Sequence, residues 1–177
     1  MKAHPLSRIV KRDDVPEGGL EITIDASADE RAAIAALFGI PAVESLTGHL
    51  TVTPWRGRGL AVRGTVEARV VQTCVVTLDP VHNTVREDVE TFFAPATGRR
   101  VEPEAEGSAE APDLDMEDLI DERIDIGALA AEHVALGLET YPRKPGVAFE
   151  AGQSEEDDEK SSPFAVLSAL KNGRRDN

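Results

Sequence analysis

The side chains with the most chemical potential in this chain are one cysteine, four histidines, a group of arginines and a large excess of carboxylates. A nucleophilic cysteine needs a base or a helix N-terminus to lower its pKa. Cys74 instead stands in phase with Val70, Val76 and Leu78, an apolar alternation that predicts a buried position in mid-strand. His4, His49, His82 and His133 follow no ligand spacing, and Glu132-His133 lacks the second histidine of a zincin motif. A structural zinc site takes about four ligands, and there is no second cysteine. The chain has no P-loop, no dinucleotide fingerprint and no nucleophile elbow. Acid–base catalysis needs carboxylates held in a pocket, whereas these lie mostly in polar stretches. No catalytic residue, metal or cofactor is expected.

The arginines suit recognition rather than catalysis. Arg63 and Arg69 fall on the polar side of one predicted strand, and Arg86 comes from its partner. Guanidinium forks match phosphate, but they also match Glu67, Glu87 or Glu90 across the strands. Arg56 and Arg58 sit in the preceding turn, PWRGRG. Tyr141, Arg143 and Lys144 stand in YPRKPG, where two prolines fix the backbone. That knuckle either closes a helix onto the sheet or contacts RNA or protein.

These residues need a scaffold. Residues 62–93 read as a strand, a turn and a returning strand. Val62, Val66, Ala68 and Val70 alternate with Arg63, Thr65, Glu67 and Arg69, and Val85, Val89 and Phe93 mark the return. Asp79-Pro80 breaks the pattern, and Asn83 fits the turn. Upstream, Leu20, Ile22 and Ile24 alternate as a strand. Ser27 and Glu30 have capping-box spacing before a helix over 28–38, which Gly39 and Pro41 stop. Leu46, Leu50 and Val52 give a further strand an inner face, and Gly48 allows a bulge or close packing. Downstream, Leu119, Ile120 and Ile124 are expected to pair briefly with the sheet. Asp125 is placed to cap a helix running to about residue 138. Its broad apolar face includes Ile126, Leu129, Ala130, Val134 and Leu138 with His133. The expected fold is α+β: a mainly antiparallel sheet with two or three short helices on one side. Residues 1–17 read as a lead-in that contains a short strand near Ile9. Residues 18–149 read as one domain, and 150–177 as an acidic linker with a short tail helix.

Charge is distributed unevenly. Through Arg100 there are 12 Lys and Arg against 13 Asp and Glu; from Val101 onward there are 7 against 20. Of the net −14, all but −1 belongs to that second part. Such a surface attracts basic partners and repels nucleic acid at long range. Residues 94–115 are rich in Pro, Gly, Ala and acids and predict a solvated loop. In the tail, Phe164, Leu167 and Leu170 recur at a spacing of three, on a helix too short to be stable alone. It is expected to dock on its own domain or on a partner. A single cysteine excludes an internal disulfide and fits a reducing compartment. No apolar stretch reaches signal-peptide or membrane-span length. A cytoplasmic location is expected, with no contact to membrane or DNA.

Three blocks carry a family resemblance: CVVTLDP from Cys74, EDVETFF from Glu87 and DIGALAAEHVALGL from Asp125. In order and spacing they resemble the YceD family of large ribosomal RNA subunit accumulation proteins, over roughly residues 18–149. The resemblance implies a role in the synthesis, processing or stability of 23S ribosomal RNA. Many proteins of that family have Cys-x-x-Cys where this chain has Cys74 and Thr77, so a metal role does not carry over. Charge and resemblance together point to a non-enzymatic assembly factor. Its expected partner is a basic large-subunit ribosomal protein or a pre-ribosomal particle, with ribosomal RNA as a further contact. An RNA-processing enzyme, or an adaptor without RNA contact, is the alternative.

Overall fold

The computed structural model describes residues 4–95 and 116–147. In chain order they form β1 (Ile9–Lys11), a one-turn 3-10 helix (Arg12–Asp14), β2 (Leu20–Asp25), α1 (Ala28–Phe38) and β3 (Ala42–Trp55). There follow β4 (Gly59–Thr73), β5 (Pro80–Pro95), β6 (Met116–Leu119), β7 (Arg123–Asp125) and α2 (Ile126–Leu136). Five strands make one sheet in the order β2-β3-β4-β5-β6. Its pairs are antiparallel apart from β5 with β6. β1 and β7 form a separate antiparallel ribbon. The fold is α+β. The chain divides into two units, Met1–Pro145 and Gly146–Asn177. The tail residues Phe164, Leu167 and Leu170, and the acidic segment 96–115, lie outside the described residues.

Local signals account for both helices. The Ser27 side chain accepts the Glu30 N–H, the Glu30 carboxylate accepts the Ser27 N–H, and Gly39 closes α1 in the left-handed conformation. Asp125 caps α2 by accepting the Gly127 and Ala128 N–H groups. The same carboxylate takes the Ser7 hydroxyl at 2.6 Å and the Arg8 N–H at 2.7 Å, which ties β1 to the start of α2. Arg8 also forks onto Glu30 at 2.7 and 3.2 Å. The expected lead-in therefore packs with the body, and Leu6, Val10 and Val15 are buried in its core.

Register assigns each strand residue to a face. Leu46, Ala68 and Val85 are in line across the sheet, and on the same face so are Gly48, Val66 and Glu87, then Leu50, Gly64 and Val89. This inner face packs on Ile34 and Ala35 of α1 and on Ile126, Leu129, Ala130 and Val134 of α2, so both helices share one side. Gly64 has φ +151°, and a Cβ there would fall on the backbone of His49. The register shift in β3 lies between Val43 and Ser45 rather than at Gly48, which instead packs against Val66.

The β4–β5 connection corrects three expectations. β4 ends at Thr73, so Cys74 opens a turn instead of sitting in mid-strand. Leu78 is 76 % exposed at φ +63° and does not continue the inner row. Asn83 lies within β5, donating its side-chain amide to the buried Gln72 at 2.9 Å. The strand stops because backbone bonds close a tight loop: Cys74 N–H to the Asp79 carbonyl and Leu78 N–H to the Cys74 carbonyl. Apolar alternation runs on past that closure and conceals it.

Candidate functional site

Neither α1 nor α2 covers the outer face of the sheet, since both pack on the other side. Arg63, Arg69 and Arg86 all lie on it, as their register requires. They do not form a continuous cationic strip. Arg63 Nε donates to Glu90 at 2.8 Å, Arg86 is directly opposite Glu67, and Arg69 is opposite Thr84. Glu21, Asp25 and Asp88 are exposed on the same face. Arg58 is engaged elsewhere, in a bidentate pair with Glu122 at 2.7 and 2.6 Å that braces two turns. That guanidinium holds the Glu122 carboxyl below its usual range.

One corner of this face has a different character. Trp55 ends β3 and pairs with Gly59, while Phe92 of β5 pairs with Ala61. With two small residues between them on β4, the rings meet across that strand at a centroid separation of 5.0 Å. A Cβ on Gly59 would lie 3.1 Å from the Trp55 ring and nearer still to two carbonyl oxygens. The Arg56 guanidinium stands 4.9 Å from the Trp55 ring centroid, and that of Arg63 5.3 Å from the Phe92 centroid. Phe92 is buried, Trp55 half-buried and Arg56 exposed. The sequence puts Trp55 in the turn PWRGRG and marks Phe93 rather than Phe92 on the returning strand. The available signal was the chain's single tryptophan, in a sequence with 4 % aromatics, followed by two arginines.

Tyr141, Arg143 and Lys144 come together at the opposite end of β4, on the turn opened by Cys74. The Pro142 carbonyl accepts the Val75 N–H at 2.9 Å, and Lys144 Nζ reaches Asp79 at 3.1 Å. Gln72 donates its side-chain amide to the Glu139 carbonyl. The knuckle thus closes the end of α2 onto the hairpin, while the Tyr141 and Arg143 side chains remain exposed. Cys74 Sγ is buried at the centre and accepts the N–H groups of Thr77 at 3.5 Å and Lys144 at 3.4 Å. The Thr77 hydroxyl, with the Lys144 and Thr77 amides, holds its pKa down to about 6 against the opposing effect of burial.

Among the described residues, no cluster of three or more His, Cys, Asp or Glu is arranged to hold a metal ion. No described helix is long and apolar enough to cross a membrane. The described residues thus present a strand surface of mixed charge, an aromatic corner and a braced basic knuckle. The model of the family described as large ribosomal RNA subunit accumulation protein YceD matches residues 62–171, and the chain belongs to that family. The matched stretch begins within β4 and includes both Cys74 and the knuckle. No curated protein and no solved structure gives a significant match.

Proposed function

We propose that this chain is a non-enzymatic assembly factor that supports the accumulation of 23S ribosomal RNA by holding a basic large-subunit ribosomal protein, free or on a pre-ribosomal particle. Within a family named for that accumulation, the supporting observation is the partition of charge. The part from Val101 onward has 7 basic against 20 acidic residues, and the part before it is nearly balanced. An acidic surface speeds encounter with a basic protein and disfavours wrong partners. It also repels phosphate, so RNA contact is secondary in this reading and uses cationic side chains of the body: Arg63, Arg69 and Arg86 on the sheet, Arg143 and Lys144 on the knuckle.

The test is recovery of partners on the immobilised chain at two salt concentrations. At low salt a basic large-subunit ribosomal protein should be retained, and about 0.5 M salt should release most of it, because screening at that strength acts within a few ångströms. Retention of no ribosomal protein at low salt would overturn the reading. For the RNA contact, Arg63, Arg69, Arg143 and Lys144 are changed together to Glu. Undiminished binding of ribosomal RNA by that variant would remove these residues from the account.

A further inference from the structure

We propose that the corner formed by Trp55, Phe92, Arg56 and Arg63 is a stacking site for unpaired bases of single-stranded RNA. The inference rests on the reading that this factor touches ribosomal RNA, and it names where and by what chemistry. The corner lies on the sheet face that neither helix covers. Trp55 is half-buried there, with the buried Phe92 ring tilted against it at a centroid distance of 5.0 Å. A partly exposed indole offers a flat surface that any base can stack on.

The two arginines supply the rest of the chemistry. Arg56 already stacks by the indole at 4.9 Å, is exposed, and makes no ion pair among the described residues. Its guanidinium can extend the stack or take the phosphate next to a stacked base. Arg63, 5.3 Å from the Phe92 ring, is held by Glu90 at 2.8 Å and gives a second cation once that pair opens. A basic ribosomal protein fits this corner poorly, because it would bring cations to two guanidiniums. The site therefore complements the acidic segments rather than repeating them.

Trp55 is the only tryptophan, so its emission reports on this corner alone. The full chain is titrated with single-stranded oligoribonucleotides of about ten nucleotides, and with an abasic sugar–phosphate chain of equal length. Base-bearing RNA should quench Trp55 and the abasic chain should not. Anisotropy of labelled RNA should show binding about fivefold or more weaker for Trp55→Ala and about two- to fivefold weaker for Arg56→Ala. Glu90→Gln, which releases Arg63, should tighten binding, a gain that misfolding cannot imitate. If RNA binds while Trp55 emission and the Arg56→Ala affinity stay unchanged, this site is wrong although the RNA contact stands. If no RNA binds, both fail. Quenching by a basic ribosomal protein and not by RNA would assign the corner to protein and overturn the inference.

Discussion

Cys74 shows how two properties of one residue oppose each other. The Thr77 hydroxyl and the amides of Lys144 and Thr77 favour its thiolate and place its pKa at about 6, which in the open would make a reactive sulfur. The side chain is 0 % exposed, however, and its lone pairs are already occupied by N–H groups from two segments 67 residues apart in sequence. The sulfur therefore acts as a clasp between turn and knuckle. At pH 7.5, iodoacetamide should modify the native chain far more slowly than the urea-unfolded chain, with a rate that follows opening of the turn. Labelling of the native chain as fast as the unfolded one would contradict the clasp. Cys74→Ala should lower Tm more than Cys74→Ser, since only serine keeps an acceptor for the two amides.

At the scale of elements, Asp125 joins the most pieces. It caps α2 and holds Ser7 and Arg8, so one carboxylate fixes the ends of β1 and α2 together. Asp125→Ala removes a cap and leaves partly buried donors without an acceptor. A loss of about 2–3 kcal/mol in urea unfolding is expected, and a loss under about 0.5 kcal/mol would show that the junction is held by apolar packing instead. Glu30 does similar work for α1. The Arg8 guanidinium first, then the Ser27 amide, hold its carboxyl at about 2, below the ordinary 4.5. A carboxyl depressed on folding stabilises the native state fully above its unfolded pKa. That contribution fades as pH falls from about 4.5 towards 2. Glu30→Gln should cost about 1 kcal/mol near neutrality and flatten the acid limb of the stability curve. An unchanged acid limb would mean that the Arg8 pair contributes nothing in solution.

Across the whole molecule, what was legible in the sequence was local. The capping box of Ser27 and Glu30, the Asp125 cap, and the alternation at Leu46, Leu50 and Val52 each act within a few residues, and each forms as read. The family too was legible, from blocks in the β4–β5 turn, in β5 and in α2. What escaped depends on distant partners. The Cys74 turn is completed by Pro142 and Lys144, the β1–β7 ribbon joins residues 116 apart at Ile9 and Asp125, and the Trp55–Phe92 contact exists only once β4 sets the register between its neighbours. Periodicity carries no information about such pairings.

The charge partition belongs to this scale as well, and it sets the limits of any test. Met116 begins β6 and Leu119 is buried, so changes to the acidic segment must stop at residue 115 to spare the sheet. The most direct measurement is the ratio of large- to small-subunit ribosomal RNA in cells whose only copy has amides for every Asp and Glu within 102–115 and 155–159. Far-ultraviolet circular dichroism and Trp55 emission would verify the folded body. A fall in the ratio, with a folded variant present at normal level, is the predicted result. A normal ratio under the same conditions would contradict the claim that the acidic segments grip the basic partner.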